Sequence, residues 1–272
     1  MNSLVSWGWE SIYPAPAKLN LFLHVVGRRA DGYHLLQTLF RFVDHGDRLH
    51  FSPRHDGELR LSKPLPGVLP EDDLTLRAAR LLQAQTGCRQ GVEICVEKRL
   101  PMGGGLGGGS SDAATVLLAL NHLWQLGLSR QRLQEIGLSL GADVPVFLFG
   151  RNAFAEGVGE SLQPVVQVPT AAIFGAPELR RDSPAIRAEV WRPGFGGNDL
   201  EPVAVSRFPV VGEYIDWLAQ FGEARMSGSG ACVFAEFDCQ EAALAVIARL
   251  PSGMRGWVAA GLPAHPLCGL AE

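Results

Sequence analysis

The densest group of residues able to do chemistry is Pro101-Met102-Gly103-Gly104-Gly105-Leu106-Gly107-Gly108-Gly109-Ser110-Ser111. Six glycines in seven residues strip the side chains from a loop, so that backbone N–H groups can converge on an anion. A helix follows, adding its unpaired N–H groups and the positive end of its dipole, which favours phosphate. Ser110 and Ser111 add hydroxyls that could reach a phosphate oxygen or a magnesium ion. Glycine-rich turns also serve close packing or flexible linkage, but the strand before this one and the helix after it favour an anion cradle. No GxxxxGK[ST] is present, so this is not a Walker loop. Gly103-x-Gly105-x-x-Gly108 fits GxGxxG almost automatically, and the acidic residue expected about 20 positions on is missing between Asn121 and Leu133.

Two further positions could act on a bound phosphate. Lys18 opens a strand, and period-two geometry puts Asn20 on its face. An ammonium and an amide there could position a hydroxyl and offset developing phosphoryl charge; a lysine snorkelling from a strand end reads equally well. Asp143, in Gly141-Ala142-Asp143-Val144-Pro145, is either a helix N-cap ahead of a proline or a carboxylate that accepts a hydroxyl's proton near Lys18. Ser227-Gly228-Ser229-Gly230-Ala231 is a second small-residue loop, readable as a tight turn or as a phosphate contact, entering an apolar strand from Cys232 to Phe237.

The elements that must position these residues follow from periodicity. Leu19, Leu21, Leu23 and Val25 alternate with Asn20, Phe22, His24 and Val26, a strand buried on at least one face. Asp31-Gly32 marks a loop, and residues around His45-Gly46-Asp47 read as a hairpin turn. Leu74, Ala78, Leu81 and Leu82 form one helical stripe ending at Gly87. Val92, Ile94 and Val96 give a strand ending at Lys98, and a long helix runs from about Ser111 to Leu126. Ser129 caps the next helix. Ala242 to Leu250 reads as an amphipathic helix, followed by a strand near Gly256 to Ala259. Strands and helices interleave without regular βαβ spacing, which favours an α+β fold.

Bulk properties bound the function classes. The 272 residues are 47% apolar and 19% charged, enough for a sizeable core. A net charge of -4 argues against a nucleic-acid or anionic-membrane partner. Five scattered cysteines without CxxC spacing read as buried thiols in a reducing compartment, not as disulfides or a zinc site. Without a signal-like N-terminus or an apolar run of about 18 residues, the expected location is cytoplasmic. Only Lys18, Lys63 and Lys98 are lysines, against 21 arginines, and two of them flank the motifs above.

Together these pieces resemble the superfamily of galactokinase, homoserine, mevalonate and phosphomevalonate kinases (GHMP) and, within it, the 4-diphosphocytidyl-2-C-methyl-D-erythritol kinase family. The likeness is carried by Pro16-Ala17-Lys18-Leu19-Asn20 through Asp31-Gly32-Tyr33-His34, by the loop from Lys98 to Ala114, and by Gly141 to Phe147. Phe154 to Glu160 and Gly228 to Phe234 extend it. The resemblance implies a two-domain α+β fold with the active site in the cleft between domains: residues 1–155 bind ATP, and 156–272 form the substrate side. It implies transfer of the γ-phosphoryl group of ATP, with Mg2+, to the 2-hydroxyl of a cytidine diphosphate-linked methylerythritol in the non-mevalonate isoprenoid pathway, by a monomer or homodimer. Asp143 matches the base and Lys18 the stabilising lysine, with Asn20 beside them. Pro101 to Ser111 match the triphosphate cradle, and Lys98 and Leu74 the nucleoside contacts. Tyr33, His34 and Phe174 match the residues that hold cytosine, and Thr170 lies on the same substrate side.

Three stretches depart from that pattern. Asp73 replaces an asparagine beside the adenine site, His265 to Cys268 replaces Ser-x-Leu-His, and Pro164 to Phe174 is shortened. The last feature admits a rival, a nucleotide-binding homologue with impaired catalysis. A second rival, another GHMP kinase acting on homoserine or mevalonate, has no use for Tyr33-His34.

Overall fold

The computed structural model describes residues 6–28, 30, 34–157, 170–192 and 194–271, with backbone only at 156, 157, 170 and 171. The Asp31-Gly32 loop, Tyr33 and residues 158–169, among them Pro164 to Pro169 of the shortened stretch, therefore lie outside the described residues.

The chain begins with two long antiparallel strands, β1 (Tyr13–Arg28) and β2 (His34–Arg54), paired from Tyr13↔Leu49 to Arg28↔His34. β2 is the centre of the sheet. Its other edge is taken successively by β4 (Gly91–Glu97), β8 (Gly261–Leu262) and β5 (Ala153–Gly157), and β3 (Leu59–Leu61) runs parallel to β4. The hairpin expected at His45-Gly46-Asp47 is instead a bulge within β2: Pro16 faces Gly46 but Ala17 faces Val43. Turn residues and bulge residues look alike in sequence. Here glycine is required because β1 passes so close that a Cβ at Gly46 would sit 2.2 Å from the Ala15 carbonyl oxygen.

Helices α1 (Leu74–Thr86), α2 (Gly108–Leu123), α3 (Arg130–Leu138) and α4 (Val144–Phe149) cover this sheet. In α2 every residue from Ser111 to Asn121 is buried. A helix apolar on all sides belongs in the middle of a core, and α2 packs against Tyr13, Ala15, Phe42 and Phe147. It begins three residues before the predicted Ser111 because the glycine loop itself turns into helix at Gly108. α1 starts where Asp73 Oδ1 accepts from the N–H groups of Thr75 and Leu76, at 2.9 and 3.1 Å, and Ser129 caps α3 as expected. Asp73→Ala is expected to cost about 1 kcal/mol by loss of this cap, and Asp73→Asn much less, which thermal unfolding of the two variants would read.

A second, smaller core gathers α5 (Thr170–Phe174), α6 (Glu201–Arg207), α7 (Pro209–Leu218) and the short hairpin of β6 (Arg225–Met226) and β7 (Val233–Phe234). Ile173, Leu179, Leu200, Val203, Val211 and Met226 fill it together with Leu23 and Val25 of β1. β1 thus enters the first core at Tyr13 and leaves through the second at Val25, which places Lys18 and Asn20 at the seam.

The tail corrects two expectations. The strand from Cys232 to Phe237 shrinks to β7, and helix α8 (Gln240–Ile247) is followed not by a strand at Gly256 to Ala259 but by β8 at Gly261–Leu262. Trp257 stacks on His45, ring centroids 4.6 Å apart, so this stretch covers the β2 bulge instead of pairing with it. The divergent His265 seals the first core. It is 1% exposed, lies edge-on to Phe42, and accepts at Nδ1 from the Leu267 N–H. Burial, with Arg130 adding to it, pushes its pKa down to about 3, so it stays neutral.

Candidate active site

At the seam lies a cleft of about 290 Å3, lined by β1, the Gly103–Ser110 loop, Asp73 and Leu74 at the start of α1, Asp143, Phe174 and the Gly228-Ser229 turn. Lys18 sits at its floor. The ammonium donates to Asn20 Oδ1 at 2.7 Å and to the Gly105 carbonyl at 2.9 Å, and lies 3.3 Å from Asp143 Oδ2. The Phe40 ring is 5.3 Å away. Asn20 Nδ2 donates to Thr38 Oγ1, which donates to the Phe22 carbonyl, so the amide is held with its oxygen toward the lysine. The snorkelling alternative for Lys18 fails, because the side chain is only 4% exposed.

Asp143 occupies the N-cap position of α4, yet its backbone is helical and its carboxylate makes no capping bond. The side chain is 23% exposed and turned to Lys18 instead. Of the two readings of this aspartate, the geometry therefore supports the chemical one: a solvent-reachable carboxylate beside a buried ammonium.

The two glycine loops hold each other. Ser227 Oγ donates to the Gly105 carbonyl at 3.3 Å, and the Cys232 N–H donates to Gly104 at 3.2 Å. Asn198 Nδ2 bridges the carbonyls of Met226 and Gly228. Gly105 has φ +72°, and a Cβ there would lie 2.3 Å from the Ser227 carbonyl oxygen, so no other residue fits. No side chain caps α2, and the residues of its first turn, Gly108, Gly109 and Ser110, line the cleft. Ser111 does not join them: it is fully buried and its hydroxyl donates to the Pro16 carbonyl at 2.7 Å. Successive helix residues diverge by about 100°, so Ser110 and Ser111 cannot both face the cleft.

Lys98 also lines the cleft, but its ammonium is held by the buried carboxylates of Asp47 and Asp112, the latter at 2.9 Å. Asp47 is fixed in turn by the N–H groups of Arg99 and Leu100. Burial pushes Asp112 up to about 7, with the Asp47 charge adding to the effect and Lys98 opposing it. Between its ordinary 3.8 and about 7 the folded chain binds more protons there than the unfolded one, so this group's contribution to stability falls as pH rises through that window. Lys98→Met is expected to cost about 3 kcal/mol at pH 7.5, since it leaves two buried carboxylates without their cation. The deficit should shrink toward pH 5 in urea unfolding, as Asp112 takes up its proton.

Of the remaining predicted residues, Leu74, Pro101 and Met102 line the cleft and Phe174 forms part of its wall. His34 is buried against Phe174, ring centroids 5.0 Å apart and tilted by 37°. The side chain of Thr170 and all of Tyr33 lie outside the described residues. Four participants had no local signal in the sequence: Thr38, Phe40, Asp47 and Asp112 reach the site only through strand register and helix packing. Asp73 uses one carboxylate oxygen as a cap, while Oδ2 is buried with no partner among the described residues.

The GHMP kinases N terminal domain model matches residues 73–151 and the GHMP kinases C terminal model residues 187–256. The chain is 61% identical to the 4-diphosphocytidyl-2-C-methyl-D-erythritol kinase of Dechloromonas aromatica, over 94% of this chain and 98% of that protein. It is 60% identical to the protein of the same name from Thiobacillus denitrificans, over 94% and 96%. A crystal structure of 4-(cytidine 5'-diphospho)-2C-methyl-D-erythritol kinase superposes with TM-score 0.73 at 37% identity, over 88% of this chain and 96% of that one. Homoserine kinase from Cytophaga hutchinsonii, at TM-score 0.62 and 17% identity over 90% of each chain, shares the fold. Identity at the level of the first two relatives, over nearly the whole length of each, places this chain in the GHMP kinases and, within them, in the 4-diphosphocytidyl-2-C-methyl-D-erythritol kinase family.

Proposed function

We propose that the chain transfers the γ-phosphoryl group of ATP to the 2-hydroxyl of 4-diphosphocytidyl-2-C-methyl-D-erythritol. The observation that carries this reading is the Lys18–Asp143 pair, 3.3 Å apart on the floor of a cleft whose rim is a glycine-rich phosphate cradle. Phosphoryl transfer needs positioning and charge stabilisation more than covalent help. Asp143 accepts the proton of the substrate hydroxyl, and Lys18, held by Asn20 and Gly105, stabilises the charge that develops as the oxygen attacks. The N–H groups of Gly103 to Ser110 cradle the triphosphate. Leu74 and the backbone near Lys98 border the nucleoside, and Asp73 Oδ2 is an acceptor suited to an exocyclic amine.

Magnesium typically takes one or two protein oxygens and otherwise phosphates and water. The Ser110 hydroxyl at the mouth of the cradle fits that modest demand. When bound, the ion would neutralise charge on the phosphates.

We assign His34 and Phe174 to the cytidyl side, together with Tyr33 and Thr170 on the family likeness alone. An aromatic ring in the cleft wall, Phe174, suits the face of a base better than a small aliphatic acid, which favours this reading over homoserine or mevalonate as acceptor. The Lys18–Asp143 contact and Phe174 in the cleft wall favour the enzyme over the impaired-catalysis rival; that rival's ground, the shortened stretch Pro164 to Phe174, lies mostly outside the described residues. We divide the chain at residue 155, between the two family matches, with β1 also entering the second core and the last residues, through Leu267 and Ala271, returning to the first. No helix among the described residues is long and apolar enough to cross a membrane, and the five cysteines are free thiols. The net charge of -4 supports an enzyme that works without nucleic acid; its cytoplasmic location and its state as monomer or homodimer are proposed from the family likeness.

Phosphorus NMR of a reaction with Mg·ATP tests the reading. The expected result is a new phosphomonoester signal beside an intact substrate diphosphate, in step with ADP. ADP without a phosphomonoester would contradict it.

A further inference from the structure

Arg181 belongs to no regular element, yet each of its guanidinium nitrogens is engaged. Nε donates to His34 Nε2 at 3.0 Å, Nη1 to the Leu179 carbonyl at 2.9 Å, and Nη2 to the carbonyls of Phe174 and Ala176 at 2.9 and 2.8 Å. One side chain therefore ties the segment that carries Phe174 to the first residue of β2.

The chemistry of the His34 contact has one solution. Arginine is always charged and has donors only. The nitrogen facing it must then offer a lone pair, so His34 Nε2 is unprotonated and the ring proton resides on Nδ1. An imidazole tautomer is ordinarily open, but here the neighbour dictates it. His34 is only 8% exposed. The cations around it are Arg181 and Arg28, and burial together with both charges disfavours a second proton on the ring.

We propose that Arg181 is the positioning residue of the cytidyl pocket: by donating to His34 Nε2 it fixes His34 as a neutral Nδ1–H donor, and by holding the Phe174 carbonyl it sets the aromatic wall beside that donor. A locked N–H reads the acceptor atoms of a cytosine, its O2 and N3, and rejects an amine in their place. The inference rests on the cytidyl reading of this pocket given above.

The test compares Arg181→Met and Arg181→Lys with the wild-type enzyme. Loss of one oriented hydrogen bond to the substrate is worth about tenfold in affinity. Arg181→Met is thus expected to raise KM for the cytidyl substrate about tenfold, leaving kcat and the KM for ATP within about twofold. The acid limb of kcat/KM should also move to higher pH, because His34 loses the cation that opposes its protonation. Arg181→Lys, with a charge but no fork, should recover the acid limb more fully than the KM. Equal losses in both KM values, or an unmoved acid limb, would reduce Arg181 to a structural brace and overturn the proposal.

Long-range 1H–15N NMR of the His34 ring in the wild-type protein gives a readout that needs neither a stable variant nor turnover. The Nδ1–H tautomer is expected, and an Nε2–H tautomer would overturn the proposal. An enzyme inactive on the cytidyl substrate that still shows the Nδ1–H tautomer would sink the substrate reading while leaving the Arg181–His34 geometry intact.

Discussion

Asp143→Asn is expected to lower kcat by about a thousandfold, within the range for a lost general base, while the Kd for ATP and the melting temperature stay nearly unchanged. The stability half of that expectation comes from the cap geometry. Asp143 holds the N-cap position of α4 without making a capping bond, so an amide there removes nothing that supports the helix. The carboxylate is reachable by solvent and by a substrate hydroxyl. Lys18 keeps two of its partners, Asn20 Oδ1 and the Gly105 carbonyl, and so stays in place. An asparagine can accept a hydrogen bond but cannot carry away the proton. Steady-state turnover alongside calorimetric ATP binding checks both halves; turnover within tenfold of wild type would remove Asp143 as the base.

Lys18→Met is expected to lower kcat by a comparable factor, about 10²–10³ for a lost transition-state cation, but with a different signature. Its ammonium is the donor to Asn20 Oδ1 and Gly105, both in the buried floor of the cleft. Removing it leaves Asn20 Oδ1 without a partner among the described residues, at about 1–3 kcal/mol, and the Gly105 carbonyl with only the Ser227 hydroxyl at 3.3 Å, so this variant should melt at a visibly lower temperature than Asp143→Asn. Arginine should not rescue it. The ammonium is gripped by Asn20 Oδ1, the Gly105 carbonyl and Asp143 within 3.3 Å, a compact arrangement that a longer, planar guanidinium does not reproduce. Parallel melts and rates of the two variants separate the roles. Equal stability would contradict the picture of Lys18 as both a strut between loop and strand and an electrostatic catalyst.

The glycine loop and the pairing of Lys18 with Asn20 were legible in sequence for physical reasons. A run of glycine before a helix has few uses, and lysine two residues from asparagine on a strand shares its face. The α+β class and the start of α1 also followed from local patterns. What escaped depends on tertiary register. The buried carboxylates around Lys98 come from β2 and α2, more than a dozen residues away on either side, and nothing local marks them as partners. The bulge at Gly46 looked like a turn because glycine serves both, and only the proximity of β1 separates the two. Ser110 and Ser111 are equivalent as text, yet helix geometry sends one to the cleft and the other to Pro16. Asp143 could be a cap or a base by sequence alone, and its helical backbone, with the carboxylate turned to Lys18, separates them. Arg181 sits in a stretch with no periodicity, and its reach to His34 across the second core has no local signature.

The most direct measurement of the central assignment is ADP release by the purified chain with Mg·ATP and, in turn, 4-diphosphocytidyl-2-C-methyl-D-erythritol, homoserine and mevalonate. The expected result is turnover on the cytidyl substrate and background rates on the other two. Turnover on homoserine or mevalonate instead, or silence on all three from a folded protein that still binds ATP, would contradict it.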